Sequence, residues 1–255
     1  MPKTKTLIYI GIPIYKDMYF QTRKCFESLV VRLQQQGYGV GYSHLYGISV
    51  LPKARNEIAE AFLKTPAHYL MFFDADLVFP SNIVEHLLMM DKDITGAIYV
   101  AKSPPHYPIL SKRDSQDIPH TLLEFPQQEI FQVDGIGTGC MLIKRKVFEA
   151  MKKPYFAMPR NYELGLTDGE DLDFCWEAKK LGYQVWANPM ISKWVGHIGN
   201  FAFTLEDYWL HKQRAKDYGV TLTGEGLPRE NHEDFVRGFI HREVEQIQEV
   251  ESVVD

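Results

Sequence analysis

The chain has 255 residues, 45% of them hydrophobic and 24% charged, with a net charge of −5. That length suits one large α/β domain, or a domain with a short appendage, and the acidic balance removes any bulk electrostatic case for nucleic-acid binding. Cys25, Cys140 and Cys175 stand far apart among apolar residues with no C-x-x-C pair, so they read as buried thiols of a reducing compartment. No apolar run reaches the roughly 20 residues of a membrane span. The short apolar start, Leu7-Ile-Tyr-Ile10, runs into Gly-Ile-Pro without a cleavage site, so it reads as a first strand, and the expectation is a cytoplasmic protein.

In chain order, residues 6–12 are predicted as a strand ended by Pro13, and 17–36 as a helix with Phe26, Leu29, Val30 and Leu33 on one face and Gly37 as its stop. A second strand over 38–45 precedes a helix over 52–63, which has proline in its first turn and Ala54, Ile58, Ala61 and Phe62 facing inward. An acidic strand then leads to a helix over 81–90 and a strand over 93–99. Strands and helices alternating at this spacing point to a mostly parallel, doubly wound sheet with helices on both faces. Residues 101–131, with Pro104, Pro105, Pro108, Pro119 and Pro126, break the pattern and read as an irregular loop or loose hairpin, a kind of segment that usually carries function or motion. Order returns in the glycine-rich turn and strand of 132–143 and a helix over 145–151. A second irregular piece over 154–168 precedes a helix over 169–181 and a strand over 183–187. The tail after 199 reads as helical and ends in an acidic run over 243–255.

Chemistry concentrates in His68-Tyr-Leu-Met-Phe-Phe-Asp-Ala-Asp-Leu-Val-Phe-Pro80. Its aromatic, apolar run reads as a strand covered on both faces. The run breaks at Asp74 and Asp76, and Pro80 with the capping pair Ser81-Asn82 then starts a helix. Ligands of open α/β sheets bind at that edge, outside the carboxyl ends of the strands. Two acids there repel one another unless a cation or donors compensate them. Mn²⁺ or Mg²⁺ carrying a diphosphate would do so, because such ions favour one or two carboxylates plus phosphate oxygens. A lone D-x-D is more often a solvated turn; the strand in front of it shifts that balance.

Three further pieces bear on it. Glu170 and Asp171 open a helix, where capping and dipole complementarity alone account for acids such as Asp168 and Glu170. His197 lies between Gly196 and Gly199 after a strand, either as a structural loop histidine or as a metal ligand. Lys53-Ala-Arg55-Asn56 heads a helix, either as a solvated start or as a phosphate-facing one.

Together these residues resemble the GT-A-fold glycosyltransferases, particularly the inverting family 2, in order from Ile8 to His197. The resemblance implies a GT-A catalytic domain over 1–200 and leaves the tail uncovered; 201–255 reads as a helical extension that packs on that domain or mediates assembly. Gly11-Ile-Pro13-Ile-Tyr15 is similar to the first-strand exit that holds the nucleotide base, and Ala54-Arg55-Asn56 to a segment facing the nucleotide. Asp74-Ala-Asp76 is similar to the D-x-D signature, with Asp76 on the metal and Asp74 on the ribose or the metal shell. Gly135-Ile-Gly137-Thr138-Gly139 resembles the turn beneath donor sugar and acceptor, a contact that Glu170 would share. Asp171 matches the general base, and His197 the histidine that completes the metal site with Asp74 and Asp76.

The implied activity is metal-dependent transfer of one sugar, from a UDP- or GDP-sugar to a glycan, lipid or protein hydroxyl, with inversion. Relatives with A-R-N and D-A-D segments that retain configuration leave retention open. Trp176-Glu-Ala-Lys-Lys180 stands where processive members carry Q-x-x-R-W, which favours single additions over polymer synthesis. A sugar-phosphate nucleotidyltransferase would need a glycine-rich basic loop after the first strand, and Gly11-Ile-Pro-Ile-Tyr-Lys16 is not one. A non-catalytic binding module would not need all these acids. A dinucleotide fold is disfavoured because 135–139 precedes a strand.

Overall fold

A computed structural model describes residues 5–161, 166–167, 169–199 and 202–217. In chain order the elements are β1 (Leu7–Ile14), α1 (Phe20–Gln35), β2 (Gly39–Tyr46), α2 (Leu51–Leu63), β3 (Tyr69–Phe73), β4 (Leu77–Val78), α3 (Ile83–Met89), β5 (Ile94–Gly96), β6 (Leu110–Arg113), β7 (Pro119–Thr121), β8 (Phe131–Val133), β9 (Gly135–Ile136) and β10 (Cys140–Lys144). They continue with α4 (Arg145–Ala150), β11 (Arg160–Asn161), β12 (Leu166–Thr167), α5 (Glu170–Lys180), β13 (Val185–Ala187), α6 (Pro189–Ser192), β14 (Gly196–Ile198), β15 (Ala202–Phe203) and α7 (Leu205–Asp217).

The central sheet has seven strands in the order β2-β1-β3-β10-β5-β13-β8. Its strands are parallel except β10, antiparallel to β3 and β5, and β8, antiparallel to β13. The two-residue period of a strand splits the apolar runs between two cores. Ile8, Ile10, Ile12 and Ile14 of β1, with Met71 and Phe73 of β3, face Phe26, Leu29 and Leu33 of α1 and Val84 and Leu87 of α3. Tyr9 and the alternate β3 residues Leu70 and Phe72 face Ile58 and Phe62 of α2, Phe148 of α4 and Phe174 of α5. Helices therefore cover both faces of a mostly parallel sheet, the doubly wound architecture that the alternating pattern implies.

Several local expectations change. The first strand runs through Pro13 to Ile14; pairing with β3 ends at Gly11, so Pro13 has β2 alone as a neighbour and its missing N–H falls on an open edge. Helix α1 begins at Phe20 rather than at 17: Tyr19 is its N-cap with extended backbone (φ −56°, ψ 141°), and its N–H donates to the carbonyl of Ala75 at 3.0 Å. Asn82 does sit at the start of α3, but its side chain makes no capping bond. Residues 101–131 contain a real hairpin, β6 with β7, and β9 adds to it as a third strand. In the tail, Leu205 and Tyr208 of α7 join the α2-side core, and the Tyr208 hydroxyl donates to the Leu123 carbonyl at 2.7 Å. The acidic run over 243–255 and Asp168 lie outside the described residues. Among the described residues, no helix is long and apolar enough to cross a membrane.

Candidate active site

The C-terminal ends of β3 and β5 form the edge where the candidate residues meet. Antiparallel β10 matters here, because it pairs Cys140 with Phe73 and Met141 with Gly96. Its N-terminal end, carrying the glycine turn, therefore lies beside the C-terminal ends of its parallel neighbours. Backbone bonds fix the loop between β3 and β4 on several sides: Asp74 N–H donates to Gly139 O at 3.0 Å, Tyr19 N–H to Ala75 O at 3.0 Å, and Ile198 N–H to Asp76 O at 2.7 Å. The two carboxylates of this loop engage different partners.

Asp74 is held from below. Arg55 donates from Nη2 to Asp74 Oδ1 at 3.0 Å, and its Nη1 lies 2.7 Å from Glu170 Oε1. Helical spacing explains this, since position 55 shares the buried stripe of α2 with Ile58, Ala59 and Phe62, and the guanidinium is only 2% exposed. Glu170 likewise shares the buried face of α5 with Phe174, Cys175 and Ala178. Burial works against the charge on Arg55, but Asp74, Glu170 and more distant acids outweigh it and raise its pKa. The expectation that Glu170 merely complements the helix dipole is thus corrected: it is one wall of a buried acid–Arg–acid bridge joining α5, α2 and the β3 loop. Arg55 correspondingly faces these acids and not solvent. Asn56, beside it, accepts from the Tyr155 and Phe156 amides at 2.8 and 3.2 Å and anchors the stretch that leads to β11.

Asp171 follows Glu170 and is partly buried. Burial pushes its carboxyl from an ordinary 3.8 up to about 6, with Arg55 opposing the shift and Glu170 adding to it. Asp76 behaves oppositely. Burial acts to raise its pKa, but contacts from His197 and Lys102 outweigh that and hold the carboxyl below its ordinary value. Lys102 places its ammonium on Asp76 Oδ2, while His197 Nε2 lies 3.5 Å from Oδ1.

His197 is on a strand and not in the loop expected for it. β14 pairs with β4 so that His197 stands opposite Leu77, one residue from Asp76. Its Nδ1 is 2.8 Å from the carbonyl of Val100, which can only accept, so Nδ1 carries the hydrogen. Nε2 is therefore the nitrogen left facing Asp76: with a proton it donates to the carboxylate, and without one it is free to bind a cation. Asp76 and His197 are the two side chains at this edge that could together hold a divalent cation. Asp74 is engaged by Arg55 and does not join this pair; among the described residues no group of three or more His, Cys, Asp or Glu side chains could hold a metal ion.

The glycine turn is built by close approach. A Cβ on Gly139 would lie 2.4 Å from Asp74 Oδ2 and 2.6 Å from the Tyr99 hydroxyl, and one on Gly137 would lie 2.4 Å from that hydroxyl. Thr138 between them is fully buried. No sequence motif marks Tyr99, yet its hydroxyl accepts from Gly139 N–H at 3.0 Å and its ring meets the His197 imidazole edge-on at 5.3 Å. Burial, then the charges of Asp74 and Asp171, keep its phenol well above its ordinary pKa and so protonated. Pro13 is buried at the end of β1, and Tyr15 just beyond is 60% exposed at the same sheet edge.

No protein-family model matches the chain, and no curated protein matches it in sequence. Among solved structures, A197 from STIV superposes with a TM-score of 0.56 at 19% identity over 79% of this chain and 92% of A197, which shows a shared fold. Looser matches include residues 1–349 of S. aureus TarS, with a TM-score of 0.40 at 11% identity over 81% of this chain and 63% of that one. Another is a Drosophila beta-1,4-galactosyltransferase 7 variant in complex with manganese, UDP-Gal and xylobiose, with a TM-score of 0.41 at 15% identity over 76% of this chain and 71% of that one.

Proposed function

We propose that the chain is a metal-dependent glycosyltransferase that moves one sugar from a UDP- or GDP-sugar to a hydroxyl of a glycan, lipid or protein acceptor, with inversion. The observation that carries this reading is the separation of two acids on one sheet edge. Lys102 and His197 hold Asp76 below the ordinary carboxyl pKa, whereas burial raises Asp171 to about 6. Environments that push two carboxyls apart in this way assign them different tasks.

Asp76 and His197 would hold the divalent metal, which when bound supplies Lewis-acid neutralisation of the diphosphate leaving group. Asp171 accepts the proton of the acceptor hydroxyl as that oxygen forms its bond to the anomeric carbon. The bond from the anomeric carbon to the diphosphate oxygen breaks on the opposite face, so configuration inverts. A carboxyl with a pKa of about 6 is ionised at neutral pH yet basic enough to take the proton. Arg55, locked between Asp74 and Glu170, sets the spacing of the β3 loop and the start of α5, and so the distance between leaving group and base. Pro13 and Tyr15 would border the nucleotide base, Asp74 the ribose, and Gly137 with Thr138 would form the floor under the sugar.

Thermal unfolding in the presence of UDP, GDP and their sugars, with and without Mn²⁺, tests this reading, because a ligand of the native state raises the midpoint according to its affinity. At least one nucleotide should stabilise the wild type only with Mn²⁺, and Asp76→Ala should lose that response. Absence of any Mn²⁺-dependent stabilisation across the panel refutes it.

A further inference from the structure

Lys102 has no place in the reaction as derived so far, yet its ammonium occupies the carboxylate on which the metal reading depends. The segment delivering it is tied back on itself. Ala101 N–H donates to Tyr107 O at 2.9 Å, His106 N–H to Ser103 O at 2.9 Å and Ile109 N–H to Tyr99 O at 2.9 Å, and Val100 bridges to Pro108. The Nδ1 of His106 also meets the Ala101 carbonyl at 2.9 Å. The backbone is therefore fixed, while the Lys102 side chain is 38% exposed and reaches Asp76 through a flexible stem. A lysine–carboxylate pair exposed to that degree contributes little and yields readily to a stronger cation.

We propose that Lys102 is a transferable counter-ion: it neutralises Asp76 before metal binds, yields the carboxylate to the divalent ion, and then pairs with the donor diphosphate. This rests on the reading of Asp76 as the metal carboxylate. The charges give the direction of each effect. With Lys102 on Asp76 the pair is neutral, so a divalent ion entering alone must displace one positive charge and remain close to it. A diphosphate arriving with the metal supplies the anion to which the freed ammonium turns. Lys102 therefore opposes metal alone and favours metal with diphosphate, which makes the two bind together.

Titration calorimetry on the full chain separates these effects with Lys102→Met, which keeps the length of the stem and removes the charge. MnCl₂ alone should bind the variant about fivefold tighter than the wild type, the scale of a partly exposed ion pair. UDP or GDP, whichever binds the wild type, should bind the variant about tenfold weaker at saturating Mn²⁺, the scale of one charge-assisted contact to phosphate. A merely structural role would weaken both, so the opposite signs are diagnostic; an unchanged circular dichroism spectrum and unfolding midpoint check the fold. Unchanged or weaker Mn²⁺ binding in the variant, or unchanged nucleotide affinity, overturns the proposal and leaves the metal reading of Asp76 standing. No Mn²⁺ binding by the wild type, with or without nucleotide, overturns both.

Discussion

Replacing Asp171 by asparagine should make the protein more stable and much slower in catalysis, with both effects set by one pKa. The native state raises the Asp171 carboxyl from 3.8 to about 6, so it binds the proton more tightly than the unfolded chain does. The stability this provides is fully present below about pH 4 and is lost as pH rises through about 6. At pH 8 both states are ionised, and the native state carries a penalty of about 3 kcal/mol, from roughly two units at about 1.4 kcal/mol each. Asparagine has the same shape and no charge, so Asp171→Asn should be more stable than the wild type by that order at pH 8, a gain of about 6–10 °C in midpoint. Near pH 4 the two should converge. Urea unfolding in metal-free buffer at pH 4, 6 and 8 measures the difference directly, and turnover should fall ~10²–10⁴-fold in the same variant. An asparagine variant no more stable than the wild type at pH 8, or a difference that does not shrink through pH 6, refutes the electrostatic account of this residue.

Arg55→Met removes the cation from between two buried acids; leaving them uncompensated should destabilise the fold by about 3–5 kcal/mol in urea, and an undiminished midpoint would contradict the bridge. Gly139→Ala inserts a methyl 2.4 Å from Asp74 Oδ2 and 2.6 Å from the Tyr99 hydroxyl. It should weaken nucleotide binding at least tenfold in calorimetry while the circular dichroism spectrum is retained. Hydrogen exchange over 102–131 should slow when nucleotide and Mn²⁺ are added, as expected of a segment that closes against the donor; equal exchange in both states would make it a purely structural loop. Initial rates should fall as pH drops through about 6, where the Asp171 base protonates, and a flat profile down to pH 5 would place the base elsewhere.

The α/β architecture and the acidic sheet edge were legible in the sequence because both rest on local patterns. The run from His68 to Phe73 is apolar enough to define a covered strand, so the position of Asp74 and Asp76 at its end follows from chain order alone. What escaped depends on contacts between distant segments. Arg55 and Glu170 looked like helix-start charges, although each shares a helical stripe with residues the structure buries, and a charge on an apolar stripe is a signal of buried pairing. His197 reads as a loop residue because β14 is only three residues long and owes its existence to pairing with β4. Tyr99 and Lys102 carry no motif at all. They reach the site because β5 ends beside β10, whose antiparallel course no local pattern announces.

The central claim is sugar transfer with Asp171 as base, and one measurement meets it most directly. Proton NMR of a reaction containing the stabilising nucleotide sugar, Mn²⁺ and an acceptor reports both turnover and the configuration of the new anomeric bond. The account predicts an inverted anomer formed by the wild type and product formed ~10²–10⁴-fold more slowly by Asp171→Asn. A retained anomer, or near-normal product formation by the asparagine variant, would contradict it.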